Sequence, residues 1–403
     1  MLSRSASTST ARERVSEQFN LRRNKPQVVP ESQAKPQAGV INQGSIDYTL
    51  CFVTVVLVLI GVVMIFSASF QHAVSRGLSM FHFLRAQGTF AVVGFGVMFA
   101  VSKIPYRLWL RSGWPLYIVS SVMLIYVTIM AEATGGARRW IDLPLLGRFQ
   151  PSEITKAAII MLVAYLIFRD RKVLDTWKGF FFMSGVVGFA ALLVGLENMS
   201  TAIIITLIGM GMIFIASPHI TRFVVMGAAG AGAMVTYLAV FSRGFRGARF
   251  EAWLDPFSDH LGFGYQTIQS LFAVASGGLF GLGIGQSRQK SFIPEPQHDM
   301  IFAIIAEELG FAGAALILTF FGILIWRGIK IAINATDMFG SLVATGIVLM
   351  IASQAIINVA VVTNSIPNTG VPMPFISYGG TSLLVTMFLV GVLLNISRYH
   401  RDA

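Results

Sequence analysis

The chain alternates long apolar blocks with short polar ones, after a polar opening and with one long polar interruption late in the sequence. Blocks of about 20 apolar residues are what a helix needs to cross a bilayer. They fall near 48–69, 87–102, 114–131, 153–168, 179–195, 200–217, 220–241, 300–326, 340–362 and 377–397. The pattern predicts an all-α, polytopic membrane protein with ten spans, whose even number puts both chain ends on one side. Residues 1–46 are rich in Ser, Arg, Gln and Pro, lack hydrophobic periodicity, and are expected to form a disordered cytoplasmic tail. The ten-span domain then covers 47–398, and 399–403 is a short cytoplasmic end. No apolar core precedes the first span, so no cleavable signal is expected.

Two external connections are long. One follows span three, from Glu132 to Pro151; the other, 243–298, follows span seven and is too apolar for disorder, so it is expected to fold against the membrane. Within it, Tyr265 to Ala275 repeats apolar residues at helical spacing, as in a helix that lies in the interface or packs on the spans. The glycine-rich run Gly277–Gly285 lacks the Lys-Ser/Thr of a phosphate-binding loop and follows no strand, so nucleotide binding is not expected.

Composition agrees with the pattern: 55% of residues are hydrophobic and only 12% charged, where soluble chains carry about 25% charge. Mean hydropathy is +0.70. The net charge of +11 would suit a nucleic-acid binder, but Lys and Arg sort with topology instead. Nineteen fall on segments that become cytoplasmic if the amino terminus is inside. The ten outside are Arg76, Arg85, Arg138, Arg139, Arg148, Arg243, Arg246, Arg249, Arg288 and Lys290, bunched mainly in the two long loops. That external surplus suits an anionic head group. Cys51 is the sole cysteine, which excludes a disulfide framework and a thiolate metal site. The six histidines are scattered without metal-ligand spacing, and Asp255-Pro-Phe-Ser-Asp259-His260 reads as a turn or a divalent-cation loop.

Asp299 is the main chemical candidate. It closes the long loop and opens the apolar run Met300–Gly310, and a carboxylate at the mouth of a membrane helix is costly unless paired, solvated or used. Helix capping is the alternative. On a helix starting there, at about 100° per residue, Ala303, Ala306, Gly310 and Gly313 lie within roughly 40° of its direction, which implies a tight seam or a cavity. Glu307 shares that quadrant and Glu308 points away. Glu153 and Lys156 open span four on one helix face, as an ion pair or a polar path. Gln354 and Asn358, four apart in span nine, suit interhelical hydrogen bonds or substrate contact.

Six segments in order resemble the SEDS family (shape, elongation, division and sporulation) of bacterial ten-span proteins, which includes FtsW and RodA. They are Gly136–Asp142, Gln150–Lys156, Asp255-Pro-Phe with Gly264–Ser270, Gly277–Gly283, Ile293-Pro-Glu leading into Asp299–Gly310, and Pro372–Ser382. The resemblance implies a peptidoglycan glycosyltransferase that polymerises lipid II, with Asp299 at the family's catalytic aspartate and Arg139, Trp140 and Lys156 at positions its function depends on. Two departures stand out: Gln297-His298 precede the aspartate where the family has His-Thr, and Glu197-Asn198-Met-Ser-Thr201 replaces Pro-Asp-Leu-Gly-Thr. The run Pro367–Ser377 and the long tail look more like FtsW than RodA. The resemblance further implies a class B penicillin-binding protein transpeptidase (FtsI-like) as partner, division regulators like FtsQ, FtsL, FtsB and FtsN, and an inner-membrane location at the septum.

The implied chemistry fits the residues. A carboxylate base would deprotonate the GlcNAc 4-hydroxyl of one lipid-linked disaccharide as it attacks the MurNAc anomeric carbon of another. Cations would stabilise the departing undecaprenyl pyrophosphate, and Arg138, Arg139, Arg249 and Lys290 are the candidates. A divalent cation, Mg or Mn, is a further candidate cofactor. Three alternatives differ in what they need: a RodA-like elongation polymerase, a lipid II flippase using Glu153, Lys156 and Glu307 as a polar path, and a scaffold for a partner enzyme.

Overall fold

The computed structural model describes residues 44–130, 139–143, 147–228, 230, 251–262 and 264–399. Its helices are α1 (Tyr48–Ser75), α2 (His82–Lys103), α3 (Gly113–Met130), α4 (Pro151–Arg169), α5 (Trp177–Gly195), α6 (Met199–Ala216), α7 (Tyr265–Ser276), α8 (Ile301–Asn334), α9 (Met338–Val362) and α10 (Gly380–Ser397). All but α7 are long and apolar enough to cross a membrane, which makes nine spans among the described residues. They match nine of the ten expected spans. Of the remaining one, 220–241, residues 220–228 are helical and most of the rest lies outside the described residues, as do the tail 1–43, Arg138 and Arg249.

Polar caps set where several spans begin. The side chains of Asp47, Thr176, Asn198 and Asp337 each accept a backbone N–H in the first turn of α1, α5, α6 and α9. Asn198 thus has a local use for the amide that stands where the family has an acid. At the centre runs α4, packed on α3, α6 and α9, and Ala158 through Ala164 are all fully buried.

Two polar networks mark the two ends of the bundle. At one end Arg327 pairs with Asp47 at 2.6 Å and Arg107 with Asp337 at 3.0 Å, while the Asn395 amide bridges Ser102 and Tyr106. At the other, the Thr381 hydroxyl donates to the Arg148 carbonyl, Tyr378 N–H to the Gln297 carbonyl, and the Trp253 indole to the Asn364 carbonyl. The loops read as cytoplasmic and external from charge therefore gather at opposite ends. The loop after α3 holds one strand pair, β1 (Ile141–Leu143) with β2 (Gly147–Phe149), antiparallel with Asp142 opposite Arg148. The all-α expectation did not include it. The helix in the long loop, α7, packs on α8 and α9, with Ser270 donating to the Val362 carbonyl, so it belongs to the core alternative.

Helix α8 breaks at Gly310 (φ 67°, ψ −170°), a conformation that essentially only glycine adopts. The glycine-rich loop fills the break. Leu282 and Gly283 donate to the Glu307 and Glu308 carbonyls, and Phe311 and Ala312 donate to Gly278 and Leu279, all at 2.9–3.0 Å. These four bonds re-satisfy backbone groups that the break frees, as membrane-embedded backbone requires. The break also corrects the expected face of small residues: Gly310 meets the loop backbone, and Gly313 meets the Leu309 side chain. A side chain at Gly310 would collide with Gly281 and Leu279, whereas Gly322 on the same helix has open space. Gly310→Ala is therefore expected to cost more than about 3 kcal/mol, strain and clash together. Gly322→Ala should hold or gain about 0.5–1 kcal/mol. Thermal unfolding of the two purified variants checks the contrast, and equal melting temperatures would contradict it.

Candidate active site

Asp299 lies two residues before α8, half-buried. It does not cap the helix: Met300 is the cap residue, and no side chain bonds there. What holds Asp299 is α9. Asn358 Nδ2 donates to the Asp299 carbonyl at 2.7 Å and to the Val371 carbonyl at 2.8 Å, tying the aspartate to the loop 363–379 that crosses over it. Asn358 thus acts between segments of this chain. Gly370 (φ +59°) brings its backbone against the carboxylate, where a Cβ would stand 3.5 Å from Oδ2.

The surroundings of the carboxylate are mixed. Burial pushes the Asp299 carboxyl above the usual carboxylate range, against a smaller downward pull from His298 and the backbone N–H groups of Asp299 and Met300. The His298 ring meets Tyr378 edge-on at 5.3 Å, and Tyr378 meets Phe83 the same way at 5.2 Å. Glu295 lies 3.8 Å from His298 and 3.5 Å from Arg76. Burial also raises the Tyr378 hydroxyl, and the nearby Arg148 guanidinium lowers it. Two cations therefore stand close to the neighbours of His298, Arg76 on Glu295 and Arg148 near Tyr378.

Two further observations point to this place as a site. Buried polar atoms without a partner among the described residues include His72 Nε2, Gln87 Nε2, Gln297 Oε1, Gln354 Nε2, Asn358 Oδ1 and Thr369 Oγ1, on the segments that surround Asp299. Such atoms are uncommon and call for a ligand or water. The non-glycine residues with positive φ among those described are Glu295, Asn364 and Phe375, all in the two loops beside Asp299. Strain of that kind persists where the surrounding structure enforces it.

The other expected residues fall in different places. Arg139 Nε donates to the Glu197 carbonyl in the α5–α6 turn at 3.0 Å, and Trp140 is half-buried at the foot of β1. Glu153 and Lys156 are closed on each other at 2.8 Å, both buried within α4. Lys290, expected as a substrate cation, is buried: its ammonium meets the Gly285 carbonyl, Glu308 at 3.4 Å and the Phe70 ring at 4.6 Å. Glu307, expected to share a quadrant with Asp299, faces the glycine-rich loop instead, accepting from Ser287 and from Arg288 and Gln289 N–H. Glu308 accepts from Ser67 and Ser287. Both glutamates are thus committed to anchoring that loop. Sequence reasoning missed Arg76 and Arg148 as neighbours of the site, since nothing along the chain joins them to a residue 150 or more positions away. Among the described residues, no group of three or more His, Cys, Asp or Glu side chains comes together to hold a metal.

Comparison with known proteins agrees with this arrangement. The family model described as cell cycle protein, FtsW/RodA/SpoVE, matches residues 48–402. Stage V sporulation protein E of Bacillus subtilis (strain 168) is 42% identical over 362 residues, 88% of this chain and 98% of its own. The probable peptidoglycan glycosyltransferase FtsW of Trichlorobacter lovleyi is 39% identical over 358 residues, 87% of this chain and 93% of its own. A chain of a peptidoglycan synthase complex that coordinates polymerization and crosslinking superposes with a TM-score of 0.76 at 24% identity, covering 89% of this chain and 99% of that one. The rod shape determining protein RodA of Thermus thermophilus does so with 0.65 at 22%, covering 89% and 98%. With the membrane bundle, the ordered motifs and a match along nearly its whole described length, the chain belongs to the FtsW/RodA/SpoVE family of cell cycle proteins, the SEDS family.

Proposed function

We propose that this chain is a peptidoglycan glycosyltransferase that polymerises lipid II at the external face of the bacterial cytoplasmic membrane, with Asp299 as general base. The observation that carries the reading is a half-buried carboxylate, raised by burial, on segments that also hold partnerless polar atoms, at one end of a membrane bundle. Asp299 takes the proton of the acceptor GlcNAc 4-hydroxyl. The oxygen attacks the donor MurNAc anomeric carbon, the bond to undecaprenyl pyrophosphate breaks, and the proton passes from Asp299 to water. A raised carboxyl is a stronger base once ionised, which suits the step. Polyprenyl chains stay in the bilayer while the sugars meet at the surface.

Leaving-group charge falls to cations at the same end. Arg148 and Arg76 join Arg139, Arg138 and Arg249 as candidates, and Lys290 keeps a structural role because its protons face Glu308 and Gly285. A single displacement inverts the anomeric centre. Retention would need a second carboxylate about 5 Å away as nucleophile; Glu307 and Glu308 are tied up in the loop, and Glu295 is engaged with Arg76 and His298. Among the described residues no group of His, Cys, Asp or Glu side chains assembles a site for Mg or Mn, and no step is routed through a divalent ion. A lipid II transporter would use Glu153 and Lys156 as a path, but they form a closed buried pair.

Similarity to a sporulation protein and to FtsW favours a septal role over elongation. The similar chain from a synthase complex that also crosslinks supports a class B penicillin-binding protein transpeptidase as partner, with regulators resembling FtsQ, FtsL, FtsB and FtsN. The charge asymmetry supports cytoplasmic termini.

Asp299→Asn is expected to lower kcat for purified lipid II by roughly 10²–10⁴-fold while the protein still folds and binds lipid; unchanged polymer yield would refute the base assignment. In the native chain, protonation removes the base, so kcat falls as pH drops through the raised value. The acid limb should lie above the ordinary aspartate pKa of about 3.9. Arg148→Gln should raise KM or lower kcat by about tenfold to hundredfold, the weight of a charge-assisted hydrogen bond of about 1.5–3 kcal/mol, as steady-state kinetics would show.

A further inference from the structure

A cleft of about 200 Å³ lies between the start of α7, the segment 251–262, Pro294 and the loop 363–379. Its lining includes Trp253, Tyr265, Gln266, Thr267 and Asn368. Among the described residues that line it, none is charged. Aromatic side chains with amides and a hydroxyl and no charge, among the described lining residues, match a neutral polyhydroxylated ligand, rings suiting the apolar face of a pyranose and amides its hydroxyl or acetamido groups. A pyrophosphate or an acidic peptide would require cations.

The cleft is preformed. Trp253 and Asn364 bond reciprocally, indole N–H to the Asn364 carbonyl at 3.1 Å and Asn364 amide to the Trp253 carbonyl at 3.3 Å, which fixes the ring. Asn368 Nδ2 donates to Gln266 Oε1 at 2.9 Å, which orients both amides and leaves the Gln266 N–H groups and the Asn368 carbonyl for a ligand. The loop that supplies Asn368 to the cleft lining also passes the Asp299 carboxylate. Asn368 stands two residues before Gly370, so the lining and the backbone against Asp299 are at most about 7 Å of chain apart. Between them Thr369 Oγ1 is buried without a partner. On the opposite wall, Pro294 leads through the strained Glu295 to Asp299.

We infer that this cleft is a glycan subsite, holding a sugar of the polymer strand next to the residue that reacts at Asp299. The inference rests on the polymerase reading, and a bound strand that does not leave between additions would make that polymerase processive. The test uses the full-length chain in detergent with the β-1,4-linked GlcNAc tetrasaccharide as probe, and the Asp299→Asn protein so that binding is separated from catalysis. Saturable binding is expected. Gln266→Ala should weaken it roughly tenfold, about 1.4 kcal/mol for the lost hydrogen bonds. Ser365→Ala, exposed on the same loop outside the cleft, should bind as before. In the Asp299 background, Gln266→Ala should also shorten the strands made from lipid II. Absent tetrasaccharide binding, or equal affinity in Gln266→Ala, overturns the subsite, as does a Gln266→Ala defect seen only in association with a partner protein. Cleft-dependent tetrasaccharide binding by a chain that cannot polymerise lipid II would instead sink the polymerase reading and leave the subsite standing.

Discussion

The break in α8 at Gly310 is the constraint on which the external half of the molecule depends. A chain cannot leave helical geometry inside an apolar bundle unless the freed carbonyls and N–H groups are taken up elsewhere. Here the loop 278–283 takes them up with four backbone hydrogen bonds. Glu307 and Glu308, just before the break, hold the next stretch of the same loop through Ser287, Arg288, Gln289 and Lys290. One glycine conformation therefore fixes the direction of residues 301–309 and the path of the loop that arrives at their start.

Asp299 sits at that start, and its position follows from what else is fixed. Asn358 reaches from α9 to hold the aspartate backbone and the Val371 carbonyl together, and Gly370 brings its backbone against the carboxylate. The same end of the bundle gathers Arg76, Arg148, His298 and Tyr378. Desolvation raises the carboxyl and cations gather at the same end of the bundle, in keeping with the division of labour between base and electrostatic stabilisation that glycosyl transfer needs.

The spans were legible because lipid demands about 20 apolar residues per crossing, a signal far stronger than side-chain periodicity. Asp299 was legible for a related reason: a carboxylate beside an apolar helix has few cheap explanations. The break in α8 was not, because 300–326 reads as one spanning block despite Glu307 and Glu308, and its glycines resemble those that helices tolerate. Only the complementary glycine run at 277–285 hinted at close backbone contact. Lys290 misled for the opposite reason. A lysine in an external loop looks available, and its partners Glu308 and Phe70 come from α8 and α1, which spacing cannot connect. Arg76 and Arg148 share that obscurity, since pairing across the bundle is written in no local pattern.

The central claim is that the Asp299 carboxylate receives the acceptor proton. Its most direct test is a structure of the inactive Asp299→Asn protein with lipid II bound. The account predicts the acceptor GlcNAc 4-hydroxyl within about 2.6–3.2 Å of the side chain at 299, with the pyrophosphate of the donor turned toward the arginines. A 4-hydroxyl seated against a different acidic residue, or lipid II bound at the opposite end of the bundle, would contradict it.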